Sequence, residues 1–413
     1  MNRIVKLSLA VALGLGTTLF ADDAKTKKEV NNLSEMFSEG ETSGQIRLGY
    51  GQLKEEGDKT KSATAAGGQL KYKTGSLMGL SFGAAMYTSH SISPLSGSKD
   101  DKFYDDMASS KGSYTELGEA YLNFEYEGFN FRGGRQLIDT PLADSDDIRM
   151  TPHTFEAYIA SYTFEDLGLS FIAGNVLSWQ GVNTEADDEP YANVINRTWD
   201  KTGDNGTRLG AITYENDFVE ASAWYYDITK NASAVYADVV GTITINDDVE
   251  IAVGAQYLAQ KEKNDSDIDG SIIGAMVEAN LYGVTAKAAY NKVSVDDGKT
   301  IFEEFGGGSS YTNIDTMTAE TLHADGDYGD GSSYMVGLGY EIDDLNLFVE
   351  YGDYKADAIA DGKAHVTEIN FGVEYAFNQA ELILMYAIGK DKEADEKTEF
   401  DNNRFQVVVN YNF

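Results

Sequence analysis

The 413-residue chain carries 68 acidic against 32 basic side chains, a net charge of −36, and no cysteine. That balance excludes nucleic acid as a partner, and the missing thiols exclude disulfides, thiolate metal sites and cysteine catalysis. With 42 Gly, 26 Tyr, 19 Phe and only four Pro, and no apolar run after residue 21 long enough to cross a bilayer as a helix, the composition suggests an exported β-barrel.

Arg3 and Lys6 precede an apolar run from Leu7 to Phe20, which Ala21-Asp22-Asp23 ends abruptly. Residues 1–21 therefore read as a secretory signal peptide, with Leu19 and Ala21 at the −3 and −1 positions of the cut. A retained anchor is the alternative, but no basic stop-transfer cluster follows. Cleavage before Asp22 removes Arg3 and Lys6 and no acid, taking the mature balance to −38. Residues 22–42 place Val30, Leu33, Met36 and Phe37 on one helical face of a charged stretch. They predict a short periplasmic helix, serving either as a tether beside the barrel or as a plug in its mouth.

From Ser43 to Phe413 the period is two, with Ile46, Leu48 and Tyr50 alternating with Arg47 and Gly49. The same alternation returns at Leu345, Leu347, Val349 and Tyr351, and at Phe405, Val407, Val409 and Tyr411. It predicts strands near 43–53, 67–74, 79–88, 115–126, 129–136, 154–163, 167–175, 207–214 and 218–227. Nine more follow near 233–241, 249–258, 271–280, 283–292, 334–342, 345–353, 366–376, 380–389 and 403–413. Alternation alone does not separate a soluble sandwich from a membrane barrel, whereas connection length does. Even strands lead into short turns such as Glu127-Gly128, Leu281-Tyr282 and Asn378-Gln379; odd strands lead into long segments, 89–114, 137–153, 176–206, 293–333 and 390–402 among them. Short periplasmic turns and long extracellular loops on about 18 antiparallel strands define an all-β transmembrane barrel. Pro94, Pro141, Pro152 and Pro190 all fall in long connections, where no ladder hydrogen bond is lost.

The stretch Arg132-Gly-Gly-Arg135-Gln136-Leu-Ile-Asp139-Thr140-Pro141-Leu142, followed by Asp146-Asp147-Ile-Arg149-Met150-Thr-Pro152-His-Thr-Phe155-Glu156-Ala, resembles the signature of OprD-like outer-membrane porins. Leu117-Gly-Glu119-Ala-Tyr121-Leu does so too. Ser43-Gly-Gln-Ile-Arg47 and Gly67-Gly-Gln-Leu70-Lys-Tyr72 resemble the epsilon-type proteobacterial branch of that family. The motifs cover residues 43–160; the remainder matches in pattern only. The resemblance implies an outer-membrane porin of a Gram-negative bacterium that admits small polar solutes and ions by passive diffusion, often carboxylate-bearing or amino-acid-like. It also implies that the third long loop folds inward as the constriction. Arg132, Arg135 and Arg149 carry over as the basic side of the eyelet, and Asp139, Asp146 and Asp147 as the acidic side. In outer-membrane proteins generally a terminal aromatic, here Phe413, is the signal read by the barrel assembly machinery, and the wall contacts outer-membrane lipid. A homotrimer is compatible with such a barrel.

Facing acids and bases would orient zwitterions and reject apolar solutes. The bland reading is that Asp139 and Arg149 pin the loop to the wall. By alternation Arg47, Lys71, Glu119 and Arg404 point to the lumen, where each alone is an ordinary wet-face charge. The global charge predicts a preference for cations at low salt, against the pull of the arginines. Asp265, Asp267 and Asp269 are spaced like the start of a calcium loop, although its twelfth position is Met276 and the segment leads into a strand. Solvated loop acids are the competing reading, for these and for Asp325, Asp327 and Asp330; apart from calcium no cofactor is expected. His90, His153, His323 and His365 all fall in predicted connections and in no catalytic motif, so no enzyme is expected. A structural or adhesin-type barrel with acidic surface loops is the alternative to a porin.

Overall fold

The computed structural model describes residues 28–413 except 56, 93–94, 98–103, 105–106, 108–112, 148, 182–198, 247, 297, 303–304, 306–309, 316–320, 324–327, 359–362 and 394–400. The signal-peptide reading, Pro94, Pro190, Asp325 and Asp327 lie outside the described residues. Eighteen strands form the wall: β1 (Glu41–Glu55), β2 (Lys61–Lys73), β3 (Leu80–Ser91), β4 (Ser113–Tyr126), β5 (Phe129–Gln136) and β6 (Thr154–Phe164). They continue as β7 (Leu169–Gln180), β8 (Thr207–Glu215), β9 (Val219–Ile228), β10 (Ala232–Asn246), β11 (Val249–Glu262) and β12 (Gly270–Leu281). The last six are β13 (Val284–Val295), β14 (Tyr328–Ile342), β15 (Leu345–Ala358), β16 (Lys363–Phe377), β17 (Ala380–Asp391) and β18 (Asn402–Asn412). Each pairs antiparallel with its neighbours, and β1 pairs with β18 from Gln45↔Asn412 to Glu55↔Asn402. The sheet therefore closes, so no strand edge meets lipid.

Burial is inverted relative to a soluble protein. Leu48, Val253, Ile273 and Leu338 are about half exposed or more, while Asn123, Asn291, Glu368 and Arg132 are almost fully covered. On β1 buried Arg47 alternates with exposed Leu48, and on β12 exposed Ile273 and Val277 alternate with buried Met276 and Glu278, so the apolar face looks outward and the polar face inward. Tyr126, Phe129, Tyr162, Phe164, Phe218 and Phe377 stand exposed beside the short turns, where an aromatic girdle meets the membrane interface.

The short turns are fixed by backbone chemistry. Glu127 and Gly128 have φ of 44° and 83°, and Tyr282 and Gly283 have 53° and 82°, the paired positive values of a two-residue hairpin turn. The second turn is therefore Tyr282-Gly283 rather than Leu281-Tyr282. The length rule is not uniform, since on the long-loop side only residues 229–231 join β9 to β10 and only 359–362 join β15 to β16. Helix α1 (Leu33–Ser38) is capped by the Asn32 side chain, which accepts from the Glu35 amide at 3.0 Å. It packs under the β2–β3 turn on the outside of the barrel, where Val30 N donates to Ser76 O and Gly75 N to Met36 O, both at 2.9 Å. His90 and His365 lie within β3 and β16 because those strands run farther than their apolar alternation.

Gly68 sits at φ 131°, with a would-be Cβ only 1.9 Å from the Gln45 carbonyl oxygen across β1. Gly68→Ala should cost ~1–3 kcal/mol from strain. Gly210→Ala, whose Cβ would meet nothing nearer than 3.8 Å, should leave stability nearly unchanged. Urea midpoints of the refolded barrel in detergent micelles measure the contrast, and equal midpoints would place the strain elsewhere.

Candidate functional site: the lumen and its inward loops

Alternation on β1 turns Arg47 inward, opposite Asn410 across the closing seam. Its Nε donates to Asn410 Oδ1 at 2.8 Å, and Nη1 and Nη2 donate to the two Asp147 carboxylate oxygens at 2.7 and 3.0 Å. Nη1 also donates to the Arg149 carbonyl at 2.6 Å. This planar fork holds a carboxylate in the bidentate manner that gives the strongest charge-assisted pairs. Arg149 in turn donates from Nη1 to Gln406 Oε1 on β18 at 2.8 Å. The loop 137–153 is thus fastened to β1 and β18 by three charged side chains.

The tip of that loop is a miniature hairpin in which Asp139 pairs with Asp144 and Thr140 with Ala143 around Pro141-Leu142. Ser145 Oγ accepts the Ile138 amide at 2.8 Å, while Ile138, Leu142 and Ala143 bury against Phe155 and Phe305 with Trp179 packed beside them. Burial pushes the Asp139 carboxyl above its ordinary value of 3.8, despite the Ser145 amide. Burial, and then the Asp139 and Asp146 charges, push Asp144 well above the same value. Two carboxyl groups this close retain a proton between them rather than ionise together.

The described residues Phe302, Phe305, Ser310, Thr312 and Asp315, between β13 and β14, also reach inward side chains of the wall, which the sequence did not reveal. Gln260 on β11 holds Phe302 through both its amide (2.8 Å) and its carbonyl (2.9 Å). Asn291 on β13 donates to Ser310 and, at 2.9 Å, to Thr312; Thr312 also meets Ser333 of β14 at 2.7 Å and accepts Tyr354 Oη at its carbonyl. Farther along this connection Asp315 takes Arg404 of β18, with Nε donating to Oδ2 at 2.7 Å and Nη2 also in contact. Burial works to raise the Asp315 carboxyl, but the Arg404 and Arg149 charges prevail and hold it below 3.8. The two loops join through Phe305 N to Leu142 O at 3.0 Å and Asp144 N to Phe305 O at 3.1 Å. Above β1, Tyr104 and Met107 of the loop 92–112 pack where Gly49 and Gly51 leave room; a Cβ at either would lie 2.4–2.6 Å from Met107.

Lys71 and Glu119 face the lumen as a pair at 3.1 Å, and Glu119 also accepts Tyr87 Oη. Arg132 points inward, over the Tyr121 ring at 4.3 Å and donating to Asn123 Oδ1 at 3.1 Å. Arg135, three positions on, has the opposite parity. It faces outward over the Trp199 ring at 4.6 Å and donates to the Leu117 carbonyl at 3.2 Å, so it does not join the inward cluster. Asp146 contributes its charge to the Asp139–Asp144 pair. The calcium spacing resolves differently: Asp267 pairs with Lys299 at 3.0 Å and Asp269 with Lys261, while Met276 lies buried on the lumen side of β12. Among the described residues no group of three or more carboxylates and imidazoles is arranged to hold a metal.

The wall charges are segregated. Inward positions from β9 to β16 carry Glu220, Asp238, Glu278, Glu350, Glu368 and Glu374, against the single inward base Lys287 among the described residues. Lys287 lies directly across from Glu278 in the register. Of the inward bases on the opposite arc, Arg47, Lys71 and Arg404 each meet a carboxylate from a loop or a nearby strand, while Arg132 lies over the Tyr121 ring and donates to Asn123.

A family model described as "outer membrane porin, OprD family" matches residues 31–413. Among solved structures, the chain is similar to Acinetobacter baumannii OccAB2, with TM-score 0.75, 14% identity, and 92% of this chain and 99% of that one covered. It is similar to Pseudomonas aeruginosa OpdK with vanillate at TM-score 0.74 and 15% identity, covering 92% and 99%. A. baumannii OccAB4 gives TM-score 0.72 and 18% identity over 91% and 98%. A comparison with curated proteins finds no match.

Asp315→Asn should leave Arg404 buried beside a neutral amide, at a local cost of ~3–5 kcal/mol. Hydrogen exchange at residues 310–315 should accelerate accordingly while the barrel keeps its heat-modifiable migration; unchanged exchange would show that the pair does not hold the loop. For Asp139 and Asp144 the raised values mean that the hairpin favours the protonated pair, a preference lost as pH rises above the ordinary carboxylate range. Ion preference should therefore shift toward cations with rising pH above 3.8, and Asp139→Asn with Asp144→Asn should flatten that profile. An identical profile in the double variant would remove the pair from the ion path.

Proposed function

Because the chain belongs to the OprD family of outer membrane porins, we propose that its acidic lumen selects cations and zwitterions over simple anions. As an outer-membrane porin it passes small solutes by diffusion, and as a member of a channel family it is read as a pore rather than an enzyme. One observation carries it: three inward bases, Arg47, Arg404 and Lys71, are paired with Asp147, Asp315 and Glu119. A guanidinium held bidentate by a carboxylate presents little net field to a passing ion. Among the described residues the inward strand positions of β9 to β16 carry six or more acids against one base, Lys287, and that excess sets the potential of that half of the lumen.

Asp139, Asp144, Asp146 and Asp147 belong to the loop that narrows the pore, together with Phe305 and its described neighbours. Arg149 and Asp147 pin that loop rather than serving as a free basic or acidic rung. OpdK was solved with vanillate, a carboxylate; the carboxylate-rich wall here points to solutes with an ammonium or other cationic group. Zwitterions would turn their cationic end toward Glu350 and Glu374 and their anionic end toward the Arg47–Arg404 seam.

In planar bilayers under a salt gradient, the reversal potential should show cation preference at ~10 mM salt, where screening reaches ~30 Å, and weaker preference at ~0.15 M, where it reaches ~8 Å. Replacing Asp139, Asp146 and Asp147 together by Asn should alter conductance or reduce that preference. Anion preference at low salt would show that the arginines govern the pore.

A further inference from the structure

On the outward face, where β2, β3 and β4 approach α1, lies a groove of about 490 Å3 that the permeation path does not use. Its walls are Phe37, Tyr72, Phe82 and Leu122, and its base is the directly paired Ala84 and Ala120. Tyr72 faces Ala84 in the same register row, so two methyl groups stand where bulkier neighbours flank them. Tyr121 occupies the lumen side at Gly83, where a Cβ would lie 2.3 Å from its ring, so the groove does not open inward.

Helix α1 closes the lower end. Buried Met36 and the Val30–Ser76 and Gly75–Met36 backbone bonds fix it beneath the turn, and Tyr72 Oη donates to the Phe37 carbonyl. That anchorage leaves Leu33 and Phe37 exposed at 65% and 56%, beside Met78 at 85%. Large apolar side chains held this far out in water would be costly, whereas here they continue the lipid-facing surface of β3 and β4 into the membrane interface.

We propose that this groove seats one acyl chain of an inner-leaflet phospholipid, with Phe37 and Leu33 of α1 as an interfacial brace against the headgroup layer. The occupant follows from continuity: Phe82, Ala84 and Leu122 lie on the lipid-facing parity of a membrane wall, and the lining is almost wholly apolar. A periplasmic protein partner would need an aqueous face, which this groove lacks at its upper end. The N-terminal segment thereby becomes part of a lipid site rather than a linker.

Native mass spectrometry of the full chain released from micelles doped with palmitoyl-oleoyl phosphatidylethanolamine tests this. The protein should retain one phospholipid tightly. Ala84→Phe or Ala120→Phe, displacing about two methylenes from the groove, should weaken retention about tenfold. Conductance should stay unchanged, because both residues face away from the lumen. A Phe37→Trp reporter in vesicles of phosphatidylcholine with brominated acyl chains should be quenched, and the added Ala84→Phe should relieve the quenching. Equal phospholipid retention with equal quenching in the groove-filled variants would overturn the proposal.

Discussion

Inside a bilayer no water is available to satisfy a backbone amide or carbonyl, and everything else in this molecule follows from that. A sheet meets the demand only by closing on itself, which β1 and β18 achieve along a continuous register from Gln45 to Glu55. Closure fixes alternation as the organising rule: one side of each strand meets lipid, the other a water-filled interior. Arg132 and Arg135 illustrate how strict the rule is, since three residues of separation send one to the lumen and the other to the outside.

The interior that results is polar, crowded and charged, and its groups also require partners. Loops supply them. Asp147 and Asp315 reach down from two connections to the arginines of the closing strands, while Asn291, Ser333 and Gln260 bind loop atoms on the opposite wall. The inward loops are therefore held by the wall's own polar side chains and joined to each other at Leu142 and Phe305. The contacts that hold the loops inward also pair Arg47 and Arg404 with carboxylates, which ties the placement of the loops to the electrostatics of the lumen.

The strands were legible because period two and turn spacing are local properties, and all eighteen predicted segments coincide with strands of the wall. Their ends ran farther than predicted, as at His90 and His365, because pairing continues after the apolar alternation stops. The inward reach of residues 310–315 was not legible, because its anchors are long-range: Asp315 meets Arg404 and Thr312 meets Ser333, and no spacing within the loop signals either. Gly49 and Gly51 were visible as small residues on β1, but that they make room for Met107 is evident only once the loop is in place. Asp144, absent from the motif residues singled out for the eyelet, proved to face Asp139 across a two-residue turn. Of the carboxylates with calcium-like spacing, Asp267 and Asp269 face Lys299 and Lys261, a pairing that the spacing alone does not show.

The central claim is that the seam arginines act as anchors whose charge is already spent. It is tested most directly by removing one ion pair entirely, through Arg404→Met with Asp315→Leu, and measuring the reversal potential of the double variant beside the parent channel at low salt. A spent pair adds no net charge, so the account predicts the same cation preference in both. A marked increase in cation preference on losing the pair would show that Arg404 had been repelling cations all along, and would contradict the account.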